Sequence, residues 1–228
     1  MGASRLEQRF SASGKKPVLV VYLTVGDPSV DDTLACALAA LEAGADVLEL
    51  GVPFSDPTAD GPVIAAAAYR AIHQGGSLRA ALGVAEGIRR TRSEPLILFT
   101  YYNPIVAFGE EALASEAERV GVDGFLVVDL PPEEGETLRA AARKTGLAMI
   151  PLVAPTTGRE REPRVLSGAS GFVYYVSVTG VTGAKAPLAE AGRDAAALRE
   201  RARLPVVVGF GIRTPEDART VTKAGVDG

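Results

Sequence analysis

Ala43-Gly44-Ala45-Asp46-Val47-Leu48-Glu49-Leu50-Gly51-Val52-Pro53-Phe54-Ser55-Asp56-Pro57-Thr58-Ala59-Asp60-Gly61-Pro62 is the stretch on which the fold and the chemistry both turn. Its glycine at 44 ends a helix in the left-handed conformation, and Asp46 stands just before a strand. Val47–Leu50 is apolar at every position but one, as a strand buried on both faces is. The exception is Glu49. A carboxylate in such a run is desolvated, which is costly unless a partner or a task accounts for it. Pro53, Pro57 and Pro62 then exclude a helix over the next ten residues. This stiff loop carries two further acids, Asp56 and Asp60.

The same helix-to-strand turn recurs as Val120-Gly-Val-Asp123 and Ala224-Gly-Val-Asp227. Between these turns short apolar runs alternate with Ala-rich helical stretches. Strands are expected at 18–24, 47–50, 96–101, 125–128, 149–153, 172–176 and 206–209. Helices are expected at 31–42, 63–72, 78–92, 110–120, 133–144, 160–166, 188–201 and 215–223. Strands that are apolar throughout rather than alternating predict a parallel sheet covered on both faces. Seven βα units in 228 residues leave no room for a second domain. The expectation is an α/β chain forming one (β/α)8 TIM barrel over residues 1–228, with the eighth strand and last helix missing from this chain. An open doubly wound sheet is the alternative. The even βα spacing and the recurring turn favour the barrel.

Composition narrows the function. Hydrophobic residues make up 47% and charged residues 23%, and the net charge is −4, so no basic excess exists to neutralise a nucleic acid or an anionic membrane. No apolar run approaches the ~18 residues of a membrane span. The N-terminal residues lack the apolar core of a secretion signal, and a cytoplasmic location is expected. The one cysteine, Cys36, lies in an apolar helical stretch and is expected to be a small buried hydrophobe. The single histidine, His73, offers neither a triad nor, with Cys36, a zinc cluster. None of the five lysines sits in a strand, and Lys185 alone stands in a loop that would reach the barrel mouth.

In a barrel of this kind the site lies in the loops that follow the strands. Gly209-Phe-Gly211, running into a helix at Thr214-Pro215, offers backbone amides and a helix N-terminus to an anion such as phosphate. The long loop from Thr179 to Pro187 reads as a closing segment or as surface slack. By elimination, acid–base catalysis by carboxylates remains, with Glu49 first and Asp60 second. The plainer readings are an arginine-paired strand acid for Glu49 and a solvated turn acid for Asp60.

The loops together resemble a known family. Glu49 to Pro62, Thr24-x-Gly-Asp-Pro28, Thr100-Tyr-Tyr-Asn-Pro104, Ala154-Pro-Thr-Thr157, Tyr174 to Gly183 and Gly209-Phe-Gly-Ile212 are similar, in order and spacing, to the motifs of tryptophan synthase alpha subunits. The resemblance implies a (β/α)8 barrel and a retro-aldol lyase that cleaves indole-3-glycerol phosphate to indole and glyceraldehyde 3-phosphate. It implies Glu49 as the acid–base residue and Asp60 as the carboxylate facing the ring nitrogen. Tyr22, Tyr174, Thr182, Gly183, Phe210 and Gly211 would bind substrate, with Tyr22 against the indole plane and Gly183 and Gly211 giving amides to phosphate. The family works as an α2β2 complex. The partner is the tryptophan synthase beta subunit, which holds pyridoxal phosphate (PLP), so no cofactor is expected in this chain. Residues 54–61 and 102–108 would face that partner. A free-standing lyase, a non-catalytic regulatory partner and another phosphate-sugar enzyme of the same fold are the competing readings. Family members continue with an eighth strand and a Gly-Ser pair that completes the phosphate site, so a 228-residue form is expected to be destabilised and weak or inactive alone.

Overall fold

The computed structural model describes residues 4–14, 16–176 and 188–228. Its strands are β1 (Val20–Thr24), β2 (Val47–Gly51), β3 (Leu96–Thr100), β4 (Gly124–Val127), β5 (Ala148–Ile150), β6 (Leu152–Val153), β7 (Val173–Val176) and β8 (Val206–Gly209). Its helices are α1 (Arg5–Ala12), α2 (Val30–Glu42), α3 (Pro62–His73), α4 (Leu78–Arg89), α5 (Tyr102–Phe108), α6 (Glu110–Val120), α7 (Glu136–Thr145), α8 (Glu162–Val165), α9 (Leu188–Ala202) and α10 (Pro215–Thr222). All expected elements among the described residues are present, with ends shifted by a few residues.

β1 to β5 pair in order and in parallel, and so do β6, β7 and β8. The run expected as one strand over 149–153 is divided at Pro151, which has no N–H to give. Its carbonyl still accepts the Tyr174 N–H at 3.0 Å, so the sheet passes from β5 through β6 to β7. The ring then returns to its start. Val18 N–H donates to the Asp227 carbonyl at 2.8 Å, Asp227 N–H to Val206 at 3.0 Å, and Val208 N–H to Gly228 at 3.0 Å. Residues 226–228 therefore occupy the eighth position, bonded to the strands on either side. An open doubly wound sheet would leave those neighbours as edges.

Each recurring aspartate does one job. Asp46 accepts the N–H of Leu19 at 2.7 Å, Asp123 that of Leu96 at 2.8 Å, and Asp227 that of Val206 at 2.9 Å. An arginine completes each carboxylate: Arg9 on Asp46, Arg5 and Arg89 on Asp123, and Arg199 on Asp227. The preceding glycine, at φ +107°, +84° and +90° for Gly44, Gly121 and Gly225, turns the chain so that the aspartate meets the start of the preceding strand. These staples hold the end of the barrel opposite the mouth. Asp123 carries the most, with only 7% of its side chain exposed. Asp123→Ala is expected to cost roughly 2–3 kcal/mol, because the Arg89 charge loses its carboxylate partner, keeping only carbonyl acceptors, and the Leu96 N–H loses its acceptor. A fall in thermal midpoint together with an unchanged unfolding m-value checks this.

The period of two along the strands separates two cores. Leu48 and Leu50 pack outward with Leu96, Leu98 and Phe125 against the helices. Val47, Ile97, Leu126, Ile150 and Val207 pack inside the barrel. Helix α1, unforeseen in the polar N-terminal segment, plugs the lower end with fully buried Leu6 and with Phe10, whose ring lies 5.6 Å from Phe172. Cys36 corrects an expectation: it is exposed. Helix α2 buries Thr33, Ala37 and Leu41, a stripe spaced by four, and Cys36 falls just off it. Among the described residues no helix is long and apolar enough to cross a membrane.

Candidate active site

Glu49 shares the inner face of β2 with Val47, because the two are separated by one strand period. Register pairs it with Tyr22 of β1 and Ile97 of β3. It is 2% exposed, and its Oε1 has no hydrogen-bond partner among the described residues. Among the described residues no arginine pairs with it, so the plainer reading of a salt-bridged strand acid does not hold there. Burial disfavours the carboxylate form and pushes its pKa up to about 8. A glutamic acid at this level of the barrel favours its protonated form and stays within reach of ionisation near neutral pH.

A collar of aromatic rings lies around it. Tyr22 meets Phe99 edge-on at 5.3 Å, Phe99 meets Tyr174 at 6.2 Å, and Tyr174 meets Phe210 at 6.0 Å. The two tyrosines lean over glycines that end the neighbouring strands. A Cβ on Gly51 would stand 2.2 Å from the Tyr22 hydroxyl, and one on Gly209 would stand 1.8 Å from that of Tyr174. Tyr22 is pushed up to about 12, chiefly by burial, and the charges of Asp60 and Glu49 add to it, which places all three groups in one mouth. Tyr174 is also raised, by burial first and then by Glu49 and Tyr22, while a bond from the Phe210 backbone opposes. Phe210 and Gly211 both have positive φ, +67° and +74°. For a phenylalanine that conformation is strained, and strained backbone gathers at functional loops. Gly209→Ala is expected to push Tyr174 off its seat, losing roughly 1–3 kcal/mol of stability and most of the turnover, as calorimetry and an activity assay would register.

Asp60 is not the solvated turn acid of the plainer reading. It is half-buried, and the Tyr101 hydroxyl donates to its Oδ2 at 3.0 Å. Burial raises its pKa and the Tyr101 bond opposes that rise. Tyr101 also accepts the Ala59 N–H at 3.0 Å and lays its ring against Phe54 at 5.2 Å. It thus grips the acidic loop at both ends. Sequence reasoning quoted this tyrosine in a motif and gave it no role. Phe99 was read only as part of an apolar strand. Its position two residues beyond Ile97, the register partner of Glu49, was the signal that it faces inward.

The helix N-terminus expected to help bind an anion is already occupied. Asp217 of α10 accepts the N–H groups of Arg213 at 3.0 Å and Thr214 at 2.9 Å, while Thr214 Oγ1 takes the Asp217 N–H at 3.1 Å. That reciprocal cap leaves the Gly211 turn rather than α10 as the described candidate for phosphate. Thr182, Gly183 and Lys185 lie outside the described residues. A cavity of about 340 Å³ lies elsewhere, between the ends of β4–β6 and helices α7 and α8. Its arginines are engaged: Arg139 with the Pro132 carbonyl and Glu136, and Arg161 with Glu133. Among the described residues no group of three or more His, Cys, Asp or Glu is placed to hold a metal ion.

Comparison with known proteins places this geometry. Residues 10–228 match the family model described as "Tryptophan synthase alpha chain". A tryptophan synthase alpha chain from Geotalea daltonii is 47% identical over 220 residues, 95% of this chain and 83% of the relative. One from Gluconobacter oxydans is 46% identical over 226 residues, 97% of this chain and 84% of the relative. The crystal structure of tryptophan synthase subunit alpha from Legionella pneumophila superposes with a TM-score of 0.91 at 36% identity, covering 100% of this chain and 85% of that one. A chain of the tryptophan synthase α2β2 complex from Pyrococcus furiosus gives 0.83 at 42% identity, covering 92% and 85%. With the buried acid, the aromatic collar and the second carboxylate in one barrel mouth, the chain belongs to the tryptophan synthase alpha chain family.

Proposed function

We propose that this chain, a single barrel domain, cleaves indole-3-glycerol phosphate with Glu49 and Asp60 as its working carboxylates. The observation that carries the reading is Glu49: an acid buried inside a barrel, its Oε1 without a hydrogen-bond partner among the described residues, its pKa pushed up to about 8 by burial, facing a mouth walled by aromatic rings. Retro-aldol cleavage places a proton on the indole ring carbon that bears the side chain and removes one from the adjacent glycerol hydroxyl. Protonated Glu49 delivers the first proton, and the resulting carboxylate takes the second. The bond between ring and glycerol carbon breaks, its electron pair restoring the indole ring, and the hydroxyl carbon becomes the aldehyde of glyceraldehyde 3-phosphate. Glu49 ends as it began. In between, the ring nitrogen is cationic, and the Asp60 carboxylate stabilises it. Tyr22, Phe99, Tyr174 and Phe210 supply flat apolar walls for the ring. Gly211, with Thr182 and Gly183, would serve the phosphate end.

The expected partner is a beta subunit in an α2β2 assembly, which on this reading holds the PLP. This chain's own chemistry then uses carboxylates alone, in the cytoplasm. The acidic loop over 54–61 and helix α5, with Val106 54% exposed, would form the face turned to it. Spectroscopic detection of indole from indole-3-glycerol phosphate, with and without a beta subunit, tests the reading. Stimulation by the partner supports the assembly. No indole above the uncatalysed blank in either case refutes the function.

A further inference from the structure

Asp129 stands in the turn after β4, outside the acidic pair and the aromatic collar. Its Oδ1 accepts the Tyr102 N–H at 2.7 Å. Tyr102 is the first residue of α5, and the N-cap residue of that helix, Tyr101, makes no side-chain cap of its own. The neighbouring βα unit therefore caps α5. The contact follows from the sheet: Thr100 is paired in register with Val127, and the Val128 N–H donates to the Thr100 carbonyl at 3.0 Å, so the two strand ends leave the barrel side by side. The bond fixes the peptide between Tyr101 and Tyr102. Tyr101, 3% exposed, then carries its hydroxyl to Asp60 Oδ2 at 3.0 Å.

We propose that Asp129 is a positioning residue for the reaction: by holding the Tyr101–Tyr102 peptide it aims the Tyr101 hydroxyl at Asp60. The inference rests on the reading of Asp60 as a working carboxylate. The hydrogen bond is local, yet its consequence is long. Tyr101 is the link that reaches from the strand end across the mouth, and small rotations at its base are enlarged at its hydroxyl. Displacement of a catalytic group by about 1 Å can cost about a hundredfold in rate. A carboxylate suits the position because it accepts from a helix N-terminus, where its charge is also favourable.

Among the described residues, the titratable groups around Asp60 are Tyr101 from the β3–α5 turn and Tyr22 from β1, which feels both Asp60 and Glu49; Asp129 acts on Tyr101. The Tyr101 bond stabilises ionised Asp60, so its loss moves the Asp60 titration to higher pH. The experiment compares D129A, D129S, D129N and Y101F with the double variant D129A/Y101F, by steady-state kinetics across pH and by thermal unfolding. D129A is expected to lower kcat roughly ten- to a hundredfold with little change in KM. It should also move the acid limb of the kcat/KM profile upward. D129N keeps the acceptor oxygen and should recover most of the rate, with D129S between the two. Y101F should move the same limb, and the double variant should move it no further. An acid limb that stays in place in D129A while Y101F moves it overturns the proposal, and so does D129N as slow as D129A. If D60N turns over like the wild type, the reading of Asp60 fails instead, a result that is separate from these.

Discussion

Glu49→Gln is expected to remove nearly all indole release, by a factor of roughly 10²–10⁴ or more, while leaving the fold intact. Glutamine matches the shape and the neutral charge that the buried acid carries at pH 7, but it can neither give nor take the proton. The same variant is expected to gain stability at high pH. Burial raises the Glu49 pKa from 4.5 to about 8, so between those values the folded chain keeps a proton that the unfolded chain has released. Stability from this group is complete below about pH 4.5 and is lost progressively as pH rises through about 8, at about 1.4 kcal/mol per pH unit. Glutamine does not titrate. Wild type and E49Q should therefore unfold alike near pH 4.5 and differ by a few kcal/mol at pH 9, with E49Q the more stable. Denaturant melts at the two pH values read this directly. Equal stability at pH 9 would show that Glu49 titrates normally, and undiminished turnover would remove it from the mechanism. The wild-type rate should also fall as pH rises through about 8, since Glu49 must start protonated.

Asp60→Asn is expected to lower kcat roughly 10²–10³-fold with a smaller effect on KM, because it removes a charge needed only when the ring nitrogen becomes cationic. Asparagine still accepts from Tyr101, so the loop should keep its place and the loss is electrostatic. The two variants part company in pH dependence. Asp60 must be ionised, and burial raises its pKa, so the wild-type rate should fall as pH drops through a value above that of an ordinary aspartate. D60N should lose that acid limb and keep the alkaline one set by Glu49. A D60N profile with an unchanged acid limb would assign the limb to another group.

Much of the fold was legible because the barrel repeats. Apolar runs of strand length, alternating with Ala-rich helices, specify parallel βα units. The turns at 44, 121 and 225 mark where three of these units begin. Local signals failed where an element depends on its neighbours. Thr100-Tyr-Tyr-Asn-Pro104 read as the loop after the third strand, yet α5 starts at Tyr102 and Pro104 sits in its first turn, where its missing N–H costs nothing. Cys36 looked buried from its apolar neighbours, but a helix buries one stripe and not a stretch. Gly209-x-Gly211 running into the helix at Thr214 looked like a ready anion site, but the Asp217 side chain has taken the amides of Arg213 and Thr214, which leaves the Gly211 turn without the help of the helix start.

The candidate site divides in the same way. Glu49 was evident in the sequence because a lone acid in an apolar strand is locally inconsistent, and that inconsistency needs no coordinates to be noticed. Asp60 was evident only through its neighbours in the motif. Tyr101 as the grip on Asp60, Phe99 in the collar and Asp129 behind Tyr101 came from the tertiary structure alone. Each joins residues of different βα units, separated by 41 positions for Tyr101 and Asp60 and by 27 for Tyr102 and Asp129. By itself the sequence determined the strand periodicity, the βα order and the chemical oddity of Glu49, since these follow from interactions within a few residues. Only the closed ring decided how far Glu49 is desolvated, which hydroxyl holds Asp60 and which amides remain free, because burial and hydrogen-bond partners are set by what distant segments bring to the same point in space.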